Sequence, residues 1–392
     1  MRIPFLVITM SLLGLCARGQ QTFTIRGQIT QLPDGEVIGL LQDHGTIMTL
    51  AHKDTIRNGS FTFSDTCSVP TRYMITGVGD KFPPMTRAIW VSPGSTVRIT
   101  GKDYLFKTWE IKSPVPLQQE ADRYIFASRK AWDAMQRSDM EQEALSVKAR
   151  QATEEEKKLL RKTRDSLRDV YNEEYAKVQQ TNMTLLQKLP VTDSWIEILA
   201  GFALDIKLDP KNRYRNQTLE LYKRLSPQQL QSRNGVLIKN SLFPPPVVKT
   251  GEPMADTVLA DASNNMHRLS EYQGKYLLLD FWSVGCGPCI MAMPELRSLS
   301  DSLANQLTVI SINMDSDKEI WQKISKNENI NWVNLNDKYG MGGLAARYGV
   351  TGIPHYVIVS PDGKMIDAWT GYEQGIFTKK VGPFLQTTPA GK

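Results

Sequence analysis

Hydrophobic and polar positions change their rhythm twice along the chain. Over residues 20–113 they alternate. Thr22-Phe23-Thr24-Ile25-Arg26-Gly27-Gln28-Ile29 has period two, and Ser60-Phe61-Thr62-Phe63 follows Asn58-Gly59, a hairpin-turn pair. Arg72–Thr76, Arg87–Val91 and Ser95–Ile99 continue the series, with Pro93-Gly94 as a turn. The pattern predicts an all-β module, a small sandwich or open barrel. Over residues 114–242 the strand signal vanishes. Leu160, Thr163, Leu167, Val170, Tyr171, Tyr175 and Val178 recur at helical spacing behind an acidic start at Glu154-Glu155-Glu156. Further helical pieces surround Trp195–Ala200 and Leu219–Tyr222, punctuated by Pro190, Pro210 and Pro227.

Phe243-Pro244-Pro245-Pro246-Val247-Val248 reads as a stiff linker into the third region, residues 243–392, where strand and helix alternate. Lys275–Trp282 and Leu307–Ile312 are continuous apolar strands. Helices are expected from Pro288 to about Asn305, over Asp317–Asn327 and Gly343–Tyr348, and over about Gly375–Leu385. His355–Val359 and Met365–Trp369 pair around Asp362-Gly363. This order packs a mixed sheet between helices. The expected architecture is therefore multidomain: an all-β module, a central helical region and a C-terminal α/β fold.

The first 19 residues differ from everything after them. Arg2 precedes an apolar run of about a dozen residues, too short for a mature membrane span, and Ala17-Arg18-Gly19 places small residues two apart. This predicts a secretory leader cut after Gly19 and a periplasmic, soluble product. Cys16 offers lipid anchoring as an alternative, but the bulky Leu15 before it argues against that. The net charge of +6 is spread along 392 residues with no block of like charges, which speaks against nucleic-acid binding.

Four cysteines shape the chemistry. Without Cys16, Cys67, Cys286 and Cys289 remain, too few for a disulfide scaffold in so long a chain. Cys67 reads as a small buried hydrophobe. Cys286-Gly287-Pro288-Cys289 starts the helix after a buried strand. Free N–H groups at a helix start favour a thiolate, Pro288 suits the first turn, and Gly287 lets a substrate backbone approach. Cys289, nearly one turn on, can reach Cys286. Cys286 would attack a substrate disulfide and Cys289 would resolve the mixed disulfide. A purely structural disulfide would close a tiny loop and stabilise little. A zinc site needs two more ligands, and no histidines stand at ligand spacing, so no metal or cofactor is expected.

Leu279-Asp280-Phe281-Trp282-Ser283-Val284-Gly285-Cys286-Gly287-Pro288-Cys289 with Gly352-Ile353-Pro354 resembles the thioredoxin superfamily. Gly251-Glu252-Pro253 through Leu269–Lys275 is similar to the entry hairpin of its TlpA/ResA-like branch. Residues 20–113 resemble, more loosely, a small β domain of unknown function that precedes such domains in secreted bacterial proteins. The resemblance implies that Pro354 is a cis-proline facing the redox pair and that Ile353 matches reducing members. It also implies that Gly285, Gly287, Pro288 and Ile353 help form a substrate rim. Trp282 either flanks that rim or packs in the core. Asp280 stands where thioredoxin has a buried acid, and desolvation would raise its pKa and suit it to take the proton of Cys289. The branch usually has Trp before the first cysteine, Arg just after the second, and Glu two residues beyond that. Here Gly285, Ile290 and Ala292 stand there, and Pro294 is kept. The implied activity is thiol–disulfide exchange with protein thiols and disulfides and an upstream electron partner. A peroxiredoxin-like peroxidase is one alternative, though Phe281 and Ser283 do not supply its Pro-x-x-x-Thr-x-x-Cys signature. A non-enzymatic surface protein that retains the fold is the other.

Overall fold

The structure, a computed structural model, describes residues 20–44 and 48–385. The expected leader and Cys16 lie outside the described residues. Among those residues no helix is long and apolar enough to cross a membrane.

The N-terminal strands are β1 (Gln21–Ile29), β2 (Val37–Asp43), β3 (Met48–Thr55), β4 (Ser60–Cys67), β5 (Thr71–Val78), β6 (Arg87–Val91), β7 (Thr96–Gly101) and β8 (Glu110–Lys112). They form two sheets, ordered β4-β1-β7-β8 and β3-β2-β5-β6. The predicted alternation is what closes them face to face. Phe23, Ile25, Ile29, Phe61, Phe63, Val97 and Ile99 from one sheet meet Ile38, Leu40, Tyr73, Ile75 and Ile89 from the other. Each such side chain, fully buried, contributes roughly 1.5–3 kcal/mol. Of the sandwich and the open barrel, the sandwich is what forms. Cys67 is free and buried in this core, where desolvation pushes its thiol pKa up.

The helices that follow are α1 (Pro116–Phe126), α2 (Arg129–Ala149), α3 (Glu154–Lys188), α4 (Asp193–Leu208), α5 (Arg215–Tyr222), α6 (Pro227–Leu230) and α7 (Arg233–Leu242). Thr153 and Glu156 cap the start of α3 reciprocally. The expected apolar face of α3 is only partly buried. Val178 is covered, Leu160, Leu167 and Tyr171 are half-buried, and Thr163, Val170 and Tyr175 are exposed. The reason is length: the helix runs ahead of the α4–α7 core, which reaches only its C-terminal part at Met183 and Leu186.

The C-terminal region holds β9 (Val258–Asp261), β10 (Met266–Arg268), β11 (Tyr276–Trp282), α8 (Gly287–Ser302), β12 (Leu307–Asn313), α9 (Lys318–Asn327), β13 (Val333–Asn336), α10 (Leu344–Arg347), β14 (His355–Val359), β15 (Met365–Thr370) and α11 (Ile376–Leu385). One seven-stranded sheet runs β10-β9-β13-β12-β11-β14-β15. β11 lies parallel to β12 and antiparallel to β14, which explains its unbroken apolar run: it is buried on both faces. β9 and β10 form the entry hairpin.

Both added regions grip the turn after β12. His44 Nδ1 donates to Asp317 Oδ2 (2.8 Å), and the His44 carbonyl accepts from the Ser316 amide (3.2 Å) and hydroxyl (3.0 Å). From α7, Arg233 donates to the Met314 carbonyl (3.0 Å) and Asn240 to the Gly342 carbonyl (2.6 Å). The linker is docked as well, since the Val248 amide donates to the Arg347 carbonyl (2.9 Å).

Candidate functional site

The site is assembled at the C-terminal end of β11. After Trp282 the chain turns through Ser283-Val284-Gly285 and enters α8 with Cys286 as its N-cap. The turn is held from beneath by Asp315, a buried carboxylate. Its Oδ1 accepts from the Ser283 hydroxyl (2.7 Å), and its Oδ2 accepts from the Val284 amide (2.9 Å) and the Asn313 side chain (2.8 Å). The Cys286 amide donates to the Ser283 carbonyl (3.1 Å). Within the helix start, the Cys289 amide points at Cys286 Sγ (3.2 Å). Sγ thus sits where unpaired helix N–H groups stabilise negative charge.

Cys286 and Cys289 are joined by a disulfide, with Cα atoms 5.2 Å apart. Their surroundings differ. Cys286 is half-buried, with exposed Gly285, Gly287 and Pro288 around it, and Cys289 is buried. A Cβ placed on Gly287 would meet nothing within 4 Å, so the space above it is open. Only the Cys286 sulfur is reachable by an incoming disulfide. Cys289 can act only within the protein, on Cys286.

Ile353-Pro354 is a cis peptide bond. The β14 register pairs His355 with Phe281, which puts Pro354 level with Trp282 at the same end of the sheet. Its carbonyl accepts from the Gly371 amide (2.8 Å). Ile353 is half-buried and packs on the same cluster as Cys286. Trp282 is different: it is fully buried, packs on Cys289 and Met293, and donates to Asn334 Oδ1 (3.3 Å). Of the two readings left open for Trp282, rim and core, its burial fits the core.

Asp280 is 1% exposed. Its Oδ2 accepts from Ser311 Oγ (2.8 Å), opposite it on β12, and that hydroxyl also accepts from Trp332 Nε1 (2.9 Å). Oδ1 has no partner among the described residues. Burial pushes its pKa up to about 7, with the Ser311 bond pulling the other way. Strand alternation puts Asp280 between Leu278 and Trp282 on the face covered by α8. There Leu278 packs on Ala292 and Trp282 on Cys289. The acid therefore lies beneath the buried thiol.

Sequence reasoning missed two participants, Asp315 and Ser311, which come from β12 and its turn. Each reaches the site through sheet register, for which no local motif exists. Their one signal was position: polar residues inside or just after apolar strands.

A family model described as thioredoxin-like matches residues 274–365. The chain is 27% identical over 125 residues to the thiol-disulfide oxidoreductase ResA of Geobacillus thermodenitrificans, covering 32% of this chain and 71% of that protein. It is 27% identical over 127 residues to the thioredoxin-like protein YneN of Bacillus subtilis, covering 32% and 73%. Among solved structures, the thioredoxin domain of a thiol-disulfide oxidoreductase from Bacteroides vulgatus is 24% identical, covering 35% of this chain and 99% of that one, with a TM-score of 0.33.

Proposed function

We propose, from the premise that the C-terminal domain is a ResA-like member of the thioredoxin superfamily, that this thiol–disulfide oxidoreductase reduces protein disulfides in the periplasm through Cys286 and Cys289. One observation carries the reading: the pair is split into a reachable sulfur at a helix N-terminus and a buried sulfur above a desolvated carboxyl. Cys286 thiolate attacks the substrate disulfide and expels one substrate thiolate. Cys289 gives its proton to Asp280, attacks Cys286 Sγ and expels the second. Pro354, Ile353, Gly285, Gly287 and Pro288 form the rim on which an extended substrate lies. Residues 1–19 act as the secretory leader.

The reading divides the chain into the leader 1–19, a β domain 20–113, a helical domain 114–242 and the redox domain 243–392. In it, the two middle domains select the protein partner.

Reduction of insulin by the pre-reduced protein tests the activity. Turnover by the wild type that is lost in Cys286→Ser is the expected result. No turnover, or turnover that survives the substitution, overturns the reading. Fractionation of expressing bacteria tests the location, with recovery in the cytoplasmic fraction as the contrary result.

A further inference from the structure

Cys286 stands at the head of an exposed stripe along α8. Pro288, Met291 and Glu295 follow at spacings of three and four, so they share one helix face. Pro288 and Met291 are exposed and Glu295 is half-buried. Met291 is 68% exposed, although Ala292 and Met293 beside it are buried. An unbranched, polarisable side chain left in solvent adapts to varied apolar partners.

This stripe is one wall of an open groove of about 670 Å³, and the loop Tyr372-Glu373-Gln374-Gly375 after β15 is the other. Both walls are fixed to the redox site. α8 begins at Cys286, and the Gly371 amide, at the start of the loop, donates to the Pro354 carbonyl (2.8 Å). Glu295 pins the walls to each other, since its Oε2 accepts from the Tyr372 hydroxyl (3.1 Å) and the Gly375 amide (3.2 Å). The groove is a preformed extension of the rim around Cys286.

Its charge has one sign. Glu295 and Glu373 line it, and no lysine or arginine does. Neither acid is ion-paired among the described residues. On the neighbouring helix α11, Lys380 is turned to Asp367 (2.9 Å). The chain as a whole carries a net charge of +6, so its global field favours acidic partners and this surface is a local exception. Two acids around an exposed methionine complement a cationic segment with an apolar residue and repel an acidic one.

We propose that this groove docks the segment of the substrate protein that flanks its disulfide, and that it selects segments carrying Lys or Arg. The proposal rests on the oxidoreductase reading and names a substrate class for it. From Cys286 to Glu295 the helix rises roughly 14 Å, which about four residues of extended chain span. The selected basic residue therefore stands about four positions from the substrate cysteine.

The test uses the pre-reduced full chain and three synthetic peptides. Each peptide is closed by one internal disulfide and carries Arg, Ser or Glu about four positions outside each cysteine. In the reaction one peptide disulfide is reduced to two thiols as Cys286 and Cys289 form their own disulfide. Second-order rate constants at low ionic strength are expected to fall in the order Arg, Ser, Glu, with about fivefold between the first and the last. The spread is expected to shrink in about 0.5 M salt. In the double variant Glu295→Gln, Glu373→Gln, which keeps an amide oxygen to accept from Tyr372 and Gly375, the preference for Arg is expected to disappear. Equal rates for the Arg and Glu peptides in wild type overturn the proposal. So does a preference for Arg that persists in the double variant. No reduction of any peptide by wild type would overturn the oxidoreductase reading itself, which keeps the two failures distinct.

Discussion

The buried carboxyl beneath Cys289 and the buried ion pair of the N-terminal two-thirds are held to different degrees. In the sandwich and the helices, the deeply buried charges are paired: Arg87 lies against Asp122 (2.5 Å), and Gln118 holds both Asp122 (2.8 Å) and the Trp90 amide (3.0 Å). Such groups lock one packing in place. Beneath Cys289, by contrast, Asp280 has one oxygen bonded to Ser311 and the other without a partner among the described residues. The regions meet at residues 314–317, where His44 and Arg233 hold the turn that also supplies Asp315 to the redox loop.

Cys286→Ser should break the contrast most completely, reducing disulfide turnover to the buffer background while far-ultraviolet circular dichroism stays unchanged. Asp280→Asn should act on stability and activity in opposite directions. The carboxyl pKa is about 7 folded against 3.8 as a free group, so the folded chain binds the extra proton between those values. Stability therefore falls as pH rises from about 4 to 7, by on the order of 3–4 kcal/mol. Denaturant unfolding at pH 5 and pH 8 should show that loss in wild type and not in Asp280→Asn, which should also turn over more slowly. Equal pH dependence in the two proteins would contradict the buried-acid account.

Asp315→Ala strips the acceptor from Ser283 and Val284. It should cost about 2–3 kcal/mol in unfolding measurements and slow reduction of small disulfides. The double variant His44→Ala, Arg233→Ala should leave small-disulfide turnover within about twofold, because neither side chain bonds the redox loop itself. Limited proteolysis should nick residues 243–248 faster in that variant. Thr153→Ala is the smallest change expected: it removes the capping box of α3 at about 1 kcal/mol, seen as faster amide exchange in the first turn of that helix alone.

What could be read in the chain beforehand follows the range of the interactions. The redox pair, its helix and the strand before it were legible because Leu277–Trp282 and Cys286–Cys289 encode them locally. The period-two runs likewise announced β1 and β4. The parallel pairing of β1 with β7 could not be read, since it joins residues about 70 apart through no local signal. Short β13 was hidden in Val333–Asn336, where only two residues are apolar. Trp282 could be read either way, because an aromatic at a strand end belongs equally to rim and core. Ser311 and Asp315 became functional candidates only through the pairing and turn of β12, which a single strand does not reveal.

The central claim is that Cys286 alone meets the substrate and Cys289 acts only from within. Trapping with a disulfide-containing protein substrate, followed by mass spectrometry of the adduct, tests it directly. Cys289→Ser should accumulate a mixed disulfide through Cys286, and Cys286→Ser should accumulate none. An adduct through Cys289 in the Cys286→Ser protein, or no adduct in Cys289→Ser, would contradict the account.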